Sequence, residues 1–361
     1  MAINVTKTFL PPIDEYTAML KRAWDKAWIT NNGELALELE DKLKSFLGVK
    51  NLLFCNNGTS VLQLALKALD INGEVITTPF SYVATTTAIL WEHCKPVFVD
   101  IDEKNFCIDP ALIEAAITPA TQAILATHVY GYPCDVDEIE RIAKKHKLKV
   151  IYDAAHAFGT RVNNRSLLDY GDVSTCSFHA TKLFHTGEGG CIVAADDELD
   201  RKLLLYKQFG HKGDDYYSIG INCKNSEFHA AMGLCNLKYI GDIMARRKEQ
   251  WLYYYELLQG TGLTLLEVSE GVEYNYAYFP AVFQDEETLI KSIKALNSLD
   301  IFPRRYFYPA LNTLPYIDYQ ACPTAERIAR AVICLPVYHD IKKAEQRTIS
   351  ETILKAISLS V

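Results

Sequence analysis

Short apolar segments that alternate with helical segments constrain the fold of this chain more than any other feature of its sequence. Helical patterns such as 61–69 and 137–146 separate apolar runs that are short enough to be buried strands. These runs are Leu52–Cys55, Val75–Thr78, Pro96–Asp100, Ala123–Ala126, Val150–Asp153, Val173–Phe178 and Gly190–Ala194. Strands joined through helices usually form a mostly parallel sheet that is covered on both faces. The sequence therefore predicts an α/β fold.

The pattern changes after about residue 240. A long amphipathic helix, Arg246–Leu258, is followed by an apolar strand, Ala277–Phe283, and by helical segments at Glu286–Leu299 and Lys343–Ile357. A chain of 361 residues exceeds the usual size of one hydrophobic core. We therefore expect a large α/β domain, residues 1–245, and a smaller C-terminal α+β domain, residues 246–361. No Pro/Gly/Ser-rich linker marks the boundary.

Composition excludes several function classes. The net charge of -8 argues against binding of nucleic acid or of an anionic membrane surface. No uncharged run is long enough to span a membrane. The ten cysteines are scattered, mostly in apolar runs, and form no CxxC pair, which is typical of free thiols in a reducing compartment. We expect a soluble cytoplasmic protein.

One lysine stands in an unusual setting. Lys182 closes the segment 177–182, with the sequence SFHATK, and a glycine-rich segment, 187–190, follows it. About thirty residues upstream, Asp153 ends an apolar run that is typical of a strand. A lysine amine can form a Schiff base with a cofactor aldehyde, and a carboxylate can keep a pyridine nitrogen protonated. The pair predicts a pyridoxal-phosphate enzyme, although Asp153 alone could simply cap a helix.

A turn with the sequence NGTS, residues 57–60, predicts a phosphate site. It follows an apolar strand and precedes a helix that Thr59 or Ser60 would cap. Helix N-termini bind phosphate through backbone N–H groups and the helix dipole. Gly58 would let the backbone approach the ligand closely. The alternative is a helix cap with no ligand, and the segment by itself does not decide between them.

Aromatic and histidine side chains add further candidates. Tyr82 follows a strand and could stack on a flat cofactor, although a lone aromatic is more often part of a core. His156, about one helical turn after Asp153, could orient that carboxylate or contact the cofactor. His179 and His185 flank the lysine segment, but the histidines do not show metal-site spacing. We expect no metal.

Together these segments resemble the DegT/StrS-type sugar aminotransferases, which are pyridoxal-phosphate enzymes with the fold type I of aspartate aminotransferase. The resemblance extends over essentially the whole chain. It rests on motifs in the same order as in the family, at residues 28–33, 57–60, 153–156, 177–182, 220–227, 304–309 and 335–336. The resemblance implies a large mostly parallel-sheet domain, a smaller C-terminal domain and pyridoxal 5'-phosphate as the cofactor.

The resemblance also implies roles for individual residues. Lys182 matches the Schiff-base lysine, Asp153 the partner of the pyridine nitrogen, and His156 a residue beside the ring hydroxyl. Tyr82 matches the stacking aromatic, and Asn222 an asparagine that the second subunit of a homodimer contributes. Phosphate-binding positions fall at Gly58, Thr59, Ser60 and Ser177, and substrate contacts at Tyr308, Arg305, Lys224 and His185. The implied partners are L-glutamate, a nucleotide-linked keto-sugar and a second copy of the chain with shared active sites.

The resemblance favours one substrate class. The combination SFHATK with GEGG resembles members that aminate the C4 ketone of nucleotide-linked 4-keto-6-deoxyhexoses, whereas members acting at C3 more often contain SFYPxK with GDGG. This implies dTDP-4-keto-6-deoxy-D-glucose as substrate, for O-antigen or related glycan synthesis, with C3 amination as the alternative. A non-catalytic, pyridoxal-phosphate-binding regulatory protein is an alternative of another class. Intact Lys182 and Asp153 argue against it.

Overall fold

The computed structural model describes residues 2–358, and a seven-stranded sheet lies at its centre. Across this sheet the strand order is β2-β10-β9-β6-β5-β3-β4. In chain order the strands are β1 (Ile3–Asn4), β2 (Asn51–Cys55), β3 (Glu74–Thr77), β4 (Lys95–Phe98), β5 (Thr121–Thr127), β6 (Lys149–Asp153), β7 (Arg161–Val162), β8 (Arg165–Ser166), β9 (Val173–Ser177), β10 (Gly190–Ala194), β11 (His211–Lys212), β12 (Asp215–Tyr216), β13 (Thr264–Leu265), β14 (Val272–Glu273), β15 (Phe279–Val282), β16 (Ile301–Phe302) and β17 (Val332–Leu335).

From β2 to β6, one α-helix joins each pair of consecutive strands of the central sheet, and the other helices precede or follow this part of the chain. In chain order the helices are α1 (Ile13–Asp25), α2 (Glu34–Leu47), α3 (Gly58–Ala68), α4 (Val83–Trp91), α5 (Pro110–Ala116), α6 (Val136–His146), α7 (Asp197–Lys207), α8 (Glu227–Leu237), α9 (Ile240–Leu258), α10 (Glu286–Asn297), α11 (Pro323–Ala331) and α12 (Lys343–Ser358). Within the described residues 2–358, three short 3₁₀ turns lie at Val129–Gly131, Leu167–Asp169 and Leu311–Thr313.

Helices cover both faces of the central sheet, which therefore separates two hydrophobic cores. Along β2, Leu52 and Phe54 pack into one core, and Leu53 and Cys55 pack into the other. The same alternation follows β5 and β6, because successive side chains of a strand point to opposite faces. Burial on both faces explains why these strands are continuous apolar runs in the sequence.

Strand direction brings several loops to one edge of the sheet. Neighbours from β9 through β6, β5 and β3 to β4 are parallel. Only β10 runs the other way, and it is antiparallel to both β9 and β2. The carboxyl ends of β2, β3, β6 and β9 therefore meet at the same edge, where open α/β sheets bind ligands. The predicted α/β fold with a mostly parallel sheet is confirmed.

An ion pair supports β2, which is an edge strand. The N–H group of Phe54 donates to Glu40 Oε1 at 2.7 Å, so this outward-facing donor of the strand is satisfied. Glu40 is buried, and Lys207 Nζ lies 3.0 Å from the same oxygen. Because the two charges compensate each other, the cost of burying them is reduced. These two contacts of Glu40 hold the end of β2 in place, and the turn at residues 57–60 follows directly after it.

The C-terminal part of the chain contains a second sheet, in which β15 lies between β13 and β17 and is antiparallel to both. The helices α9, α10 and α12 belong to the same part of the chain as this sheet. The strand β1 pairs in parallel with β16, so the N-terminal segment reaches the C-terminal part of the chain. Residue 245 falls inside α9, so one helix spans the expected boundary, and the division at 245/246 stays a prediction.

The cap of α3 differs from the sequence-based expectation. The helix begins at Gly58, and Asn57, not Thr59 or Ser60, is its N-cap. Asn57 Oδ1 accepts hydrogen bonds from the N–H groups of Thr59, at 3.0 Å, and Ser60, at 2.8 Å. The hydroxyls of these two residues are therefore not used as the cap.

Sequence analysis also missed α1, α5, α7 and α11, which carry many charged or small residues.

Two compositional expectations concern the cysteines and membrane helices. All ten cysteines are buried and free, as predicted. Among residues 2–358, no helix combines the length and the apolar character that crossing a membrane requires.

Candidate active site

A cavity of about 320 Å³ opens at the edge of the sheet where the parallel strands end. The structure brings most of the predicted cofactor-binding residues to its wall. They are Gly58, Thr59, Tyr82, Asp153, His156, Ser177 and Lys182. Each follows or ends a strand of the central sheet or begins the helix after it, so the topology alone explains why they meet.

Lys182 lies in the turn after β9, and its side chain reaches into this cavity. Its Nζ atom is 3.4 Å from the hydroxyl oxygen of Tyr278, to which it can donate a hydrogen bond. Burial of the amine lowers the pKa of Lys182, and the negative charge of Asp153 opposes this effect. A lysine with a lowered pKa is more often neutral, and the neutral amine is the nucleophile.

Asp153 ends β6 and is only 5% exposed. Thr85 Oγ1 donates to its Oδ2 at 2.7 Å, and the N–H group of Ala155 donates to its Oδ1 at 3.1 Å. Burial raises the pKa of Asp153, whereas these hydrogen bonds and the Lys182 charge act in the opposite direction. A cationic ring nitrogen next to this carboxylate would offset the cost of burying it.

His156 offers a polar atom with no protein partner. The residue is 6% exposed, and its Nδ1 has no hydrogen-bond partner among the described residues. Its ring stacks on Phe307 with the centroids 5.5 Å apart and contacts Tyr278 at 4.8 Å. Burial holds the pKa of His156 well below its usual value, so the ring is neutral near pH 7. An unpaired buried nitrogen is costly, and a polar group of a ligand could satisfy it.

An anion could bind where α3 begins. A Cβ atom on Gly58 would lie 2.8 Å from the Cβ of Ser177, so only glycine allows the two segments to approach this closely. Asn57 already accepts from the N–H groups of Thr59 and Ser60. A phosphate here would therefore depend on the hydroxyls of Thr59 and Ser177 and on the positive end of the helix dipole.

The unpaired nitrogen of His156, the buried carboxylate of Asp153 and this helix terminus fit a planar cofactor that has a basic ring nitrogen and a phosphate. Lys182, in the same cavity, fits a carbonyl group on that cofactor. Tyr82 lies at the cavity wall and is 58% exposed, which leaves its ring free to pack on a ligand. The donor set therefore fits pyridoxal 5'-phosphate.

Two predicted cofactor contacts lie outside the lining of this cavity. Ser60 is half-buried in the first turn of α3, where its N–H group donates to Asn57. Asn222 is exposed, and its backbone carbonyl accepts a hydrogen bond from the side chain of Asn56 at 3.3 Å. The predicted role of Asn222 requires a second subunit, so its position outside the cavity of its own chain is compatible with that role.

The four predicted substrate contacts also lie outside the lining. Arg305 donates to Glu286 at 2.7 Å and lies over the ring of Tyr308 at 3.5 Å. Lys224 contacts the ring of Phe209. His185 is buried, and its ring lies 2.7 Å from the carbonyl oxygen of Phe9. Their roles stay predictions.

Sequence analysis assigned no site role to several residues at the cavity, although three of them lie in the motif at residues 304–309. Tyr278, Arg304, Tyr306 and Phe307 line the cavity, although they come from the C-terminal part of the chain. No local pattern relates these positions to Lys182, so only the packing of the two parts reveals them. Thr85, which donates a hydrogen bond to Asp153 from the first turn of α4, was also missed, although it lies only three residues after Tyr82.

Comparisons with known proteins agree with this geometry. Residues 13–354 match the model of the DegT/DnrJ/EryC1/StrS aminotransferase family. A dTDP-4-amino-4,6-dideoxy-D-glucose transaminase from Shigella dysenteriae is 42% identical over 347 residues, which are 94% of this chain and 95% of that protein. An enzyme of the same name from Escherichia coli is 40% identical over 361 residues, again 94% of this chain and 95% of that protein.

The fold is also similar to solved structures. DesI, which was crystallised in the presence of its TDP-sugar product, has a TM-score of 0.94 and 30% identity, with 99% of this chain and 94% of that chain covered. PseC of Helicobacter pylori, an aminotransferase involved in the biosynthesis of pseudoaminic acid, has a TM-score of 0.92 and 26% identity, with 99% and 100% covered. With its family model matched over nearly its whole length, this chain belongs to the DegT/DnrJ/EryC1/StrS aminotransferase family.

Proposed function

We propose that this enzyme transfers the amino group of L-glutamate to the C4 ketone of dTDP-4-keto-6-deoxy-D-glucose, with pyridoxal 5'-phosphate as cofactor. The product is dTDP-4-amino-4,6-dideoxy-D-glucose. The observation that carries the proposal is the 40–42% identity, over nearly full length, to two transaminases named for this product. The relatives do not favour the C3-amination alternative or the non-catalytic regulatory alternative.

The chain's own residues account for retention of the cofactor. Lys182 would hold it covalently through its amine, and Asp153 would hold its ring nitrogen in the protonated state. Thr59 and Ser177, with Gly58, Ser60 and the N-terminus of α3, would bind its phosphate. His156 would bind a polar ring substituent through its unpaired Nδ1, and the ring of Tyr82 would pack on the cofactor.

When bound, pyridoxal 5'-phosphate withdraws electrons from the carbon that carries the transferred amino group, which makes a proton on that carbon acidic. Asp153 contributes by keeping the ring nitrogen cationic. Lys182 Nζ, once released, would accept that proton from glutamate and later return a proton to C4 of the sugar. Burial lowers its pKa from the ordinary value toward neutral pH, which favours both directions, because proton transfer is most efficient when the pKa of the group lies near the working pH.

Incubation of the holoenzyme with L-glutamate and dTDP-4-keto-6-deoxy-D-glucose tests the proposal directly. We expect one equivalent of 2-oxoglutarate for each equivalent of amino sugar, and NMR should place the new amino group at C4. The reaction run with dTDP-3-keto-6-deoxyglucose is the matched control for regiochemistry. Preferred turnover of that C3 ketone, or no turnover of either sugar by holoenzyme, would contradict the proposal.

A homodimer with shared active sites is part of the proposed function. Asn222 is exposed on its own chain, and it follows a hairpin, β11 and β12, that carries large exposed apolar side chains. Tyr216, Tyr217 and Ile219 are 78%, 64% and 81% exposed. Clustered exposure of this kind is typical of an interaction surface. A two-fold symmetric dimer would cover the hairpin and bring Asn222 to the phosphate site of the partner.

Subunit exchange between two inactive variants is expected to restore activity. In a mixed dimer of Asn222→Asp and Lys182→Ala chains, one site carries both changes and the other carries neither. Random exchange of equal amounts should therefore restore about a quarter of the wild-type activity, since half of the dimers are mixed and each has one intact site. Activity is measured after exchange has been verified by native mass spectrometry.

Each variant mixed with itself is the control for this exchange experiment. The shared-site proposal is wrong if verified mixed dimers stay inactive, or if light scattering finds a monomer that is fully active.

A further inference from the structure

A chain of three buried hydroxyls ends on the Asp153 carboxylate. Thr85 Oγ1 donates to Asp153 Oδ2 at 2.7 Å, Ser81 Oγ lies 2.7 Å from Thr85 Oγ1, and Thr127 Oγ1 lies 3.1 Å from Ser81 Oγ. Thr85, Ser81 and Thr127 are 0%, 2% and 1% exposed. They come from the first turn of α4, from the loop before it and from the end of β5, so three elements converge behind the carboxylate.

The proton count fixes the direction of this chain. An ionised carboxylate only accepts, so Thr85 must use its single hydroxyl proton on Asp153. Ser81 is then the donor to Thr85, and Thr127 the donor to Ser81. Every hydroxyl thus donates toward the carboxylate, and hydrogen bonds in such chains strengthen one another. The N–H group of Ala155 occupies the other oxygen, so both oxygens accept hydrogen bonds.

We propose that Thr85 is a positioning residue whose hydroxyl, at the end of the donor chain from Thr127 through Ser81, keeps Asp153 ionised and oriented toward the ring nitrogen of the cofactor. The proposal rests on the proposed function. It explains how a carboxylate that is 5% exposed can stay ionised until a cationic ring arrives, since hydrogen bonds to the charged form offset the loss of water.

The neighbouring residue provides a matched control. Thr86 is also 0% exposed and lies on the same helix, but its hydroxyl has no hydrogen-bond partner among the described residues. Valine has nearly the shape of threonine and lacks only the hydroxyl. Thr85→Val and Thr86→Val therefore remove the same group from adjacent buried positions, and only the first removal affects Asp153.

The test is the equilibrium binding of pyridoxamine 5'-phosphate, which needs no bond to Lys182, and of its analogue in which carbon replaces the ring nitrogen. Thr85→Val should weaken binding of pyridoxamine 5'-phosphate roughly 10- to 100-fold, the range for a lost hydrogen bond to a charged group. Binding of the analogue should change little, because it has no nitrogen for Asp153. Thr85→Ser, which keeps the hydroxyl, should bind pyridoxamine 5'-phosphate almost as the wild type does.

Thr127→Val breaks the chain two links from the carboxylate, and we expect a smaller, few-fold loss with the same preference for the nitrogen-containing ligand. If Thr85→Val does not fold, the Thr127→Val variant still tests the inference, because it interrupts the same chain of hydroxyls. Equal losses for both ligands, unchanged binding in Thr85→Val, or the same loss in Thr86→Val would overturn the inference. Failure of the wild-type protein to bind pyridoxamine 5'-phosphate would instead overturn the proposed function.

Discussion

Replacement of Lys182 by alanine is expected to abolish turnover and the visible absorption band of the bound cofactor. A single proton-transferring group usually contributes about 10²–10⁴-fold to the rate. The loss here should exceed that range, because the same amine would also anchor the cofactor and sits in the cavity beside Asp153. Steady-state assays with L-glutamate and the keto-sugar, together with absorption spectra, measure both effects.

Lys202→Ala is a suitable control for the Lys182 prediction. Lys202 pairs with Asp70 at 2.6 Å outside the cavity, so its removal should leave activity and spectrum unchanged. A small primary amine added to Lys182→Ala should restore part of the turnover, since it can replace the missing proton carrier. Retention of the visible band in Lys182→Ala, or borohydride labelling of another lysine by the cofactor, would show that the assignment is wrong.

The sequence predicts the central sheet well because its strands are buried on both faces. Each predicted strand of that sheet lies within about two residues of an observed strand, and Gly190–Ala194 coincides with β10. Parallel topology then brings Asp153, Ser177 and the turn at residues 57–60 to one edge without further information. Strand order and the reversed direction of β10 need pairing partners far apart in sequence, which periodicity does not reveal.

Local pattern also fails where a side chain acts through a distant partner. Tyr278 approaches Lys182 only because the C-terminal sheet packs against the cavity. The contact of Arg305 with Glu286 likewise depends on tertiary packing, and it directs Arg305 away from the cavity lining, which contains Arg304 instead. The predicted cap of α3 was wrong for a different, local reason: Asn57, Thr59 and Ser60 are all suitable cap residues by type, so the sequence alone does not choose among them.

Asp153→Asn is expected to reduce the rate by several orders of magnitude while the fold is retained. An uncharged amide cannot keep the ring nitrogen protonated, so proton removal from the carbon that carries the amino group loses its main electrostatic support. The amide also changes the pattern of acceptors for Thr85 and Ala155, which now donate to Asp153. Single-turnover measurements with L-glutamate isolate this step from product release.

Stability should respond to Asp153→Asn in opposite directions with and without cofactor. Burial raises the pKa of Asp153 above its ordinary value of 3.8. Because this pKa is raised, the protonated carboxyl group stabilises the fold relative to the ionised carboxylate. The contribution is fully present below pH 3.8 and is lost as the pH rises through the folded-state pKa. At neutral pH the cofactor-free variant should therefore melt no lower than the cofactor-free wild type. The holoenzyme should lose stability on the same change, because the carboxylate then compensates a cation. Melting curves of both forms test this reversal, and a rate loss of only a few-fold, or a lower melting temperature without cofactor, would mean that Asp153 mainly supports the structure.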